Sequence, residues 1–312
     1  MTVHEQTIAP TALDPATAIG AIALTVADLE RSVAYYTGPI GLALLHRAAG
    51  EAVLGVGAQP LLLLREQPGA APWPRGGRSY TGLYHFAILV PTRRDLGRWL
   101  HHWIELGLPL PGQGDHLVSE ALYLEDPDGH GVEIYRDRPR AEWQWDGGQV
   151  RMGTGPVDIR ALLTDAIESG EPWAGMDEET ILGHVHLQVG DIPQAARFYH
   201  DILGFDIVAS MASSALFVSA GGYHHHLGMN VWHSQGATPA PDSSVNLRFF
   251  TVALPTEEAR AAVVARLEAA GVERREVGNV VVLHDPWQNA IILHVGPLAN
   301  AETAATLLRA SR

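Results

Sequence analysis

"HVHLQVGDIPQAARFYHDILGF", residues 184–205, decides the fold because it contains a strand pattern, a helix cap and a helix pattern in that order. Apolar residues alternate with other residues up to Val189, as in a strand with one buried face. Asp191 then stands at a helix N-cap position, and Pro193 falls in the first turn, where its missing N–H does little harm. Gly204 ends the pattern, so the stretch predicts a strand followed by a helix of about three turns.

Three other segments repeat this order of strand, cap and helix. They are residues 21–42, 85–108 and 249–272, with Asp28, Thr92 and Thr256 at the cap positions. Short apolar strands follow every helix, and such self-similarity indicates one supersecondary unit used several times. We therefore predict four βαβββ modules and an α+β fold class. The alternative is four ferredoxin-like units that share no chemistry.

The modules divide the sequence into two pairs. We expect the first pair at residues 15–136 and the second pair at 181–298. Residues 137–180 are too long for a tight connection and contain the helical pattern "VDIRALLTDAIES", so we interpret them as a linker with one helix. Residues 299–312 remain as a C-terminal tail.

Composition excludes several classes of protein. The chain has 312 residues with a formal net charge of -14, which argues against nucleic-acid binding and favours small-molecule partners. It contains no cysteine, so any metal must be held by His, Asp or Glu. The sequence has neither a signal-peptide pattern nor an apolar stretch long enough to span a bilayer, so we expect a cytoplasmic protein that does not bind membranes.

Two histidines occupy the same place in the two middle modules. His85 and His184 both open a first strand, whereas Ala21 and Phe249 stand there in the outer modules. If a strand start needed histidine for structural reasons, all four modules would have it. Function therefore explains the pair better than the fold does, although either histidine taken alone is more typical of a strand end bonded to backbone.

Glu133 is the candidate carboxylate ligand. Its neighbours Val132 and Ile134 have the character of core residues, so Glu133 points to the opposite face and needs a cation or a hydrogen-bonding partner there. The fourth module has Ile292 in the matching place. Two histidines and one carboxylate leave metal positions open, an arrangement typical of Fe(II) oxygenases that Mn(II) would also accept. His186 shares a face with His184 and remains the alternative ligand.

"GGYHHHLGMNVW", residues 221–232, adds three adjacent histidines ahead of an apolar strand. Counted back from Leu227 and Met229, strand alternation places His224 and His226 on the pocket side and His225 on the other. A loop that enters the strand would break this alternation. Trp173, Trp232 and Phe249 could supply aromatic walls or core.

These motifs, together with "DHLVSEALYLEDPDGHGVEIYRDRPRAEW" at 115–143, resemble the vicinal oxygen chelate superfamily over about residues 15–298. Within it, they look like the type I extradiol dioxygenases, the class of bacterial catechol 2,3-dioxygenases. The resemblance implies two pseudo-symmetric curved-sheet domains built from the modules. It also implies that His85, His184 and Glu133 bind the metal, while three residues act on the substrate. Tyr123 would hydrogen-bond a substrate oxygen, and His225 would act as acid and base. His116 would be a further polar group near the distal oxygen atom.

The implied function is insertion of O2 into catechol or a substituted catechol at a mononuclear Fe(II) centre, with Mn(II) as the alternative metal. The implied partners are a small aromatic diol and O2, and we expect a homo-oligomer. One alternative is a glyoxalase-like isomerase, which needs a fourth protein ligand that only His226 could replace. The other is a non-enzymatic protein that binds an antibiotic or another small molecule.

The ligands also depart from the pattern of larger extradiol enzymes, whose third and fourth modules hold the metal. In this chain the second and third modules carry the candidate ligands, His85 and His184 among them. We therefore expect the site to form between the two middle modules. The long linker would then serve as a crossover.

Overall fold

Four βαβββ modules make up most of the protein in a computed structural model that describes residues 12–73 and 80–310. In the first module these elements are β1 (Ala18–Val26), α1 (Leu29–Thr37), β2 (Ala43–Ala48), β3 (Glu51–Val56) and β4 (Gln59–Glu66). In the second they are β5 (Gly82–Leu89), α2 (Arg93–Glu105), β6 (Gly112–Asp115), β7 (Ser119–Glu125) and β8 (Gly131–Asp137).

The connection after the second module has structure of its own. It contains a 3-10 turn (Arg140–Glu142), a two-stranded hairpin of β9 (Trp145–Asp146) and β10 (Gln149–Val150), and α3 (Ile159–Ser169). The hairpin was not expected, because strands this short show no alternating pattern in the sequence.

The third and fourth modules follow the same order. The third has β11 (Ile181–Gln188), α4 (Ile192–Ala195) continued by a π-helix (Ala196–Ile202), β12 (Asp206–Met211), β13 (Ala215–Ser219) and β14 (Leu227–Asn230). The fourth has β15 (Asn246–Leu254), α5 (Glu257–Ala269), β16 (Arg274–Val277), β17 (Val280–His284) and β18 (Ala290–Val295). The predicted βαβββ unit and α+β class are confirmed.

The four helices begin at the predicted caps. Asp28, Thr92, Asp191 and Thr256 each accept a hydrogen bond from a backbone N–H in the first turn of their helix. These bonds satisfy donors that a helix cannot pair internally, so a short polar side chain defines each strand-to-helix corner.

Each half of the chain contributes one module to each of two eight-stranded sheets. The second and third modules form one sheet in the order β12-β13-β14-β11-β5-β8-β7-β6, in which β5 and β11 are antiparallel neighbours. The first and fourth modules form the other in the order β16-β17-β18-β15-β1-β4-β3-β2. We call them the β5/β11 sheet and the β1/β15 sheet. The expected pairing of the two middle modules is therefore confirmed.

The helices and one face of each sheet form a common core. Phe86 and Val185 contribute from the β5/β11 sheet, Ile22 and Phe250 from the β1/β15 sheet, and Trp99 from α2. All five side chains are fully buried. The opposite face of each sheet is left to pack against something else.

A C-terminal helix fills the second face of the β1/β15 sheet. This helix, α6 (Ala301–Ala310), lies in the segment that was expected to be a tail, of which residues 311–312 are outside the described part. Its buried residues Leu307 and Leu308 join an apolar cluster on this face. The cluster includes Ala21 and Phe249, which match the positions of His85 and His184 in the other sheet, and Leu63 and Ile292, which both match the position of Glu133.

Two buried tyrosine–aspartate bonds hold successive modules together. Tyr36 donates to Asp126 and Tyr199 donates to Asp285, each across 2.9 Å. Both aspartates begin the turn before the last strand of the next module, so the same contact is made twice. Among the described residues, none of the helices is both long and apolar enough to cross a membrane.

Candidate metal centre

Three adjacent strands of the β5/β11 sheet bring the candidate ligands together. His85 lies on β5, Glu133 on the parallel neighbour β8, and His184 on the antiparallel neighbour β11. Ala87 of β5 is paired with both His184 and Glu133, so Glu133, Ala87 and His184 form one row across the sheet. Because the middle side chain of this row is only a methyl group, the imidazole and the carboxylate can lean toward each other.

The donor atoms converge on one oxygen of the carboxylate. Nε2 of His85 lies 3.0 Å from Oε2 of Glu133, and Nε2 of His184 lies 3.1 Å from the same atom. One ligand atom from each residue lies within 4.8 Å of the other two. All three residues are buried, with His85 the most exposed at 7%.

The two imidazoles control the charge of Glu133. Burial alone would raise the pKa of Glu133, but His184 and His85 together lower that pKa well below its ordinary value. Burial lowers the pKa of His184, although Glu133 opposes the shift. The cluster therefore offers the carboxylate of Glu133 and a neutral imidazole nitrogen of His184, and Nε2 of His85 points at the same carboxylate oxygen.

These residues fit a divalent metal ion. Nε2 of His85 is buried and makes no hydrogen bond, despite its short distance to the carboxylate. A buried polar atom without a partner is costly, and a metal ion would satisfy it. A set of two histidines and one carboxylate suits Fe(II) and Mn(II), and it leaves room for other ligands.

His186 and the residue paired with it, Gly228, lie outside the three-donor cluster. His186 lines the same pocket, but its Nε2 lies 3.0 Å from Nδ2 of Asn230, and it is not part of the three-donor group. Gly228 of β14 pairs with His186 as Glu133 of β8 pairs with Ala87. Glycine thus stands where the third module would offer a second carboxylate, and within residues 12–73 and 80–310 no fourth donor joins the three.

Tyr123 and His116 form a hydrogen-bonded pair beside the ligands. Tyr123 is paired with Glu133 across β7 and β8, and its hydroxyl lies 2.7 Å from Nε2 of His116. Nδ1 of His116 lies 2.8 Å from the carbonyl oxygen of Gly153, which can only accept. Neutral His116 therefore carries its proton on Nδ1, and its Nε2 accepts from Tyr123. Burial, followed by the charge of Glu133, raises the pKa of Tyr123 well above its usual value, so the phenol stays protonated.

The three adjacent histidines point in different directions. His225 lines the pocket, and its ring centroid lies 4.1 Å from that of His184. His224 is fully buried against Asp137, and Nδ1 of His226 accepts from the backbone N–H of Ala220. The placement of His224 and His226 on the pocket side is therefore wrong. The strand β14 begins only at Leu227, so alternation does not extend back through the histidines.

A large cavity opens in front of the ligands. Its volume is about 1240 Å³, and it is lined by His85, Glu133 and His184 at one end. The β9–β10 hairpin forms part of the wall with Trp145, and Trp232 forms another part. Other lining residues are Tyr84, His116, Val118, Tyr123, Leu124, Val150, Met152, His186, Met211, Phe217 and His225.

Of the three aromatic residues left open between cavity wall and core, Trp232 lines the cavity, and one polar residue of the site was not foreseen. Trp173 stacks on His102 with ring centroids 4.7 Å apart, and Phe249 is buried in the β1/β15 sheet, so neither lines the cavity. Asp137 was missed, although it follows Glu133 and Tyr135 at alternate positions of one strand. That alternation was the available signal.

The sequence profile of the Glyoxalase/Bleomycin resistance protein/Dioxygenase superfamily matches residues 18–134 and 181–291. The chain belongs to this superfamily. The two matched segments cover the four βαβββ modules except for the ends of β8 and β18, and they leave out residues 135–180. The resemblance to vicinal oxygen chelate proteins is thus confirmed.

Individual members of the superfamily are similar over nearly the whole chain. The catechol-2,3-dioxygenase of Bacillus subtilis (strain 168) is 46% identical over 288 residues, which cover 91% of this chain and 99% of that protein. A solved structure from Bacillus subtilis subsp. subtilis str. 168 has a TM-score of 0.60 at 13% identity, covering 92% of this chain and 87% of that one. Glyoxalase I from Zea mays has a TM-score of 0.55 at 16% identity, with 95% and 96% covered. These two structures show that the fold is shared.

Proposed function

We propose that the protein is an extradiol ring-cleaving dioxygenase that inserts O2 into catechol or a substituted catechol at a mononuclear Fe(II) centre. The observation that carries this proposal is the three-donor cluster of His85, His184 and Glu133, with Gly228 in the place of a fourth ligand. The 46% identity to a protein named catechol-2,3-dioxygenase supports it. Such an activity would serve the breakdown of aromatic compounds.

The metal would be held by Nε2 of His85, Nε2 of His184 and the carboxylate of Glu133. When bound, Fe(II) supplies a path for electrons between an aromatic diol and O2, which do not react directly. The same donors suit Mn(II), so metal content has to be measured. The role of the protein is to exclude water, orient the diol and move protons.

His225 is the group proposed to take a proton from the catechol. It lies in the cavity beside His184, with the ring centroids 4.1 Å apart, so a diol held at the metal ligands would lie next to it. General acid–base groups must lie within hydrogen-bonding reach of the proton that they move. No other member of the three-histidine run lines the cavity.

Tyr123 is proposed to hydrogen-bond a substrate oxygen, with His116 supporting it. Its hydroxyl lies 2.7 Å from His116 and its strand position is opposite Glu133, which places it at the edge of the cluster. When a substrate oxygen gains negative charge, the Tyr123 proton can turn from His116 to that oxygen. The exchange gains a charge-assisted hydrogen bond in place of a neutral one.

The rival functions fit the site less well. A glyoxalase-like isomerase needs a fourth ligand, but Gly228 has no side-chain donor and His226 is buried away from the cavity, bonded to the backbone of Ala220. A protein that only binds a small molecule does not need two buried imidazoles and a carboxylate around one point.

Anaerobic reconstitution with Fe(II), followed by catechol and air, tests the proposal. We expect a yellow 2-hydroxymuconic semialdehyde, stoichiometric uptake of O2, and no colour from protein loaded with Zn(II). Mn(II) loading in parallel identifies the metal that supports turnover. Bound iron with no product from catechol or alkylcatechols would contradict the proposal, and hemithioacetal isomerisation by the Zn(II) or Ni(II) form would favour the isomerase.

A further inference from the structure

A chain of hydrogen-bonded groups runs from the cavity into the protein behind His225. Nδ1 of His225 lies 2.8 Å from Nδ1 of His224, and Nε2 of His224 lies 2.8 Å from Oδ1 of Asp137. The two outer members belong to different modules, because Asp137 ends β8 and the histidines precede β14. These hydrogen bonds therefore link the second module to the third.

The order of donors and acceptors along this chain follows from the carboxylate. A carboxylate only accepts, so Nε2 of His224 carries a hydrogen and Nδ1 of neutral His224 has a lone pair. Nδ1 of His225 must then be the donor in the contact between the two imidazoles. A neutral imidazole has one N–H, so Nε2 of His225 is left with a lone pair.

We propose that Asp137 and His224 are positioning residues that fix His225 in the tautomer whose Nε2 can accept a proton from the substrate. This inference rests on the proposed function for its role in catalysis, whereas the tautomer itself does not. In the proton transfer, the O–H bond of the catechol breaks, its electron pair stays on oxygen, and the new N–H bond forms at Nε2 of His225.

The surroundings of the chain favour a fixed arrangement. His224 is fully buried, and the side chain of Asp137 is 24% exposed. Asp137 also accepts from Tyr223, whose hydroxyl lies 2.7 Å from that of Tyr135. Burial, followed by the charge of Asp137, raises the pKa of Tyr223 well above its usual value, so this phenol remains a donor. The carboxylate thus holds two donors and keeps the ring of His224 in one orientation.

Asp137→Asn is expected to reverse the direction of the hydrogen bonds from residue 137 through His224 to His225, with little change in the shape of the side chain. The asparagine oxygen is needed to accept from Tyr223, so the amide nitrogen faces Nε2 of His224 and donates to it, which moves the hydrogen of His224 to Nδ1. His225 would then accept at Nδ1 and carry its hydrogen on Nε2, the wrong tautomer for a base. We expect kcat to fall by about 10² to 10⁴, the range for loss of acid–base catalysis or a wrong tautomer.

Kinetic controls separate positioning from a structural role. Asp137→Glu keeps an acceptor-only carboxylate and is expected to recover activity to within about tenfold of the natural protein. Asp206→Asn, at an exposed position on β12, is the matched control and should leave kcat unchanged. KM and bound iron should stay within about twofold of the natural protein in Asp137→Asn. A loss of iron in place of kcat, or an unchanged kcat, would overturn the proposal.

Nitrogen NMR of the full-length chain reads the tautomer without any turnover. Protein labelled with ¹⁵N-histidine and loaded with diamagnetic Zn(II) should show the hydrogen of His225 on Nδ1, and Asp137→Asn should show it on Nε2. A hydrogen on Nε2 of His225 in the natural protein would overturn the inference, even if Asp137→Asn failed to fold. If Fe(II)-loaded protein does not cleave any catechol, the proposed function fails, and the NMR result still decides the tautomer.

Discussion

Glu133 is the residue on which the proposed metal centre depends most, because both imidazoles direct Nε2 at one of its oxygens. Removing its charge leaves two buried histidines without a common partner. A glutamine at this position keeps the shape but offers only a neutral oxygen, which is a poor ligand for a divalent ion.

Glu133→Gln is expected to weaken Fe(II) binding by at least about 10², because one of three protein ligands is lost. Anaerobic titration with Fe(II), followed by metal analysis after gel filtration, measures the change. Glu125→Gln is the matched control, since Glu125 lines the same cavity outside the three-donor group, and its iron content should not change. Full iron retention in Glu133→Gln would remove this residue from the ligand set.

Tyr123→Phe is expected to lower kcat by about 10², the usual cost of losing one preorganised donor to a developing oxyanion. Iron content should stay within about twofold of the natural protein, because the hydroxyl contacts His116 and the carboxylate of Glu133 but is not itself one of the three donors. Steady-state oxygen uptake under saturating catechol measures kcat. A rise in KM alone would mean that Tyr123 contributes only to binding.

At the residue scale, comparison of the repeats was the informative step. His85 and His184 stand out because the outer modules have Ala21 and Phe249 in their places, and the structure brings both histidines to Glu133. The direction of His225 could not be derived from alternation, since the chain enters β14 only at Leu227. Side-chain direction in a loop depends on tertiary contacts that a local pattern does not contain.

Among the elements, α6 determines that the second face of the β1/β15 sheet is buried and apolar. Ala304, Ala305, Leu307 and Leu308 are buried against the face of the β1/β15 sheet that corresponds to the metal face of the β5/β11 sheet. Apolar residues replace the ligands there, so the helix and the sheet form an ordinary hydrophobic core.

Leu308→Ala is expected to lower the free energy of unfolding by about 2 to 4 kcal/mol, the typical cost of such a cavity. Leu308 is 1% exposed in the α6 cluster. Thr306→Ala, on the exposed side of the same helix, is the control and should change stability by less than about 0.5 kcal/mol. Urea denaturation of both variants gives the comparison, and iron affinity should be unaffected.

His294 on β18 predicts an acid dependence of stability. Burial lowers its pKa to about 4, against an unfolded value of about 6.5. Between these values the unfolded chain binds a proton that the folded chain does not, so the free energy of unfolding falls as pH drops from about 6.5 to about 4. The group alone contributes a loss of roughly 3 kcal/mol over this range.

His294→Gln should remove that contribution while keeping a partner for the hydroxyl of Thr251, which lies 3.0 Å from Nε2 of His294. Urea titrations at pH values between 4 and 7 measure the difference between the two proteins. Parallel pH curves for the variant and the natural protein would contradict the assignment.

At the element scale, strands, caps and helices followed from periodicity and capping residues, as Asp191 and Thr256 illustrate. The π-helical turns at Ala196–Ile202 and the hairpin at residues 145–150 could not be predicted in this way. The first depends on an extra residue in a helix whose pattern looks ordinary. The second consists of strands that are stabilised by neighbouring elements more than by their own sequence.

For the whole molecule, the shape and charge of the cavity limit the substrate. About 1240 Å³ is above the common range of roughly 300 to 1,000 Å³ for small-molecule pockets, and unsubstituted catechol would fill only part of it. Glu125 and Asp146 line the cavity outside the three-donor group, and among the described lining residues they outnumber the one guanidinium, that of Arg151, which keeps its charge while donating to the neutral amide of Gln144. A negatively charged substituent would therefore meet like charges.

Catechols with an apolar alkyl or aryl substituent are expected to be better substrates than catechol itself. Each methylene that is buried contributes about 0.8 kcal/mol, or about fourfold in kcat/KM. Catechols with a carboxylate substituent should fall below catechol by about tenfold. Kinetics with a homologous series of 4-alkylcatechols measure the trend, and Trp232→Ala should flatten it because Trp232 lines the cavity.

The exchange of modules between the two halves of the chain could also be predicted, because the ligands fall in the middle modules. What could not be predicted is the occupant of the other sheet. Residues 301–310 have an amphipathic pattern, but a helix at a chain end can pack in many places. Only the tertiary structure shows that it covers the second face.

The two sheets thus offer two equivalent faces, and α6 covers the one that belongs to the β1/β15 sheet. Under the proposed function, the one three-donor group among the described residues would hold one ion per polypeptide, although the module occurs four times. The helix fills the space that corresponds to the proposed diol site of the β5/β11 sheet. The second sheet therefore repeats the strand arrangement of the first, and among the described residues it does not repeat the three-donor cluster.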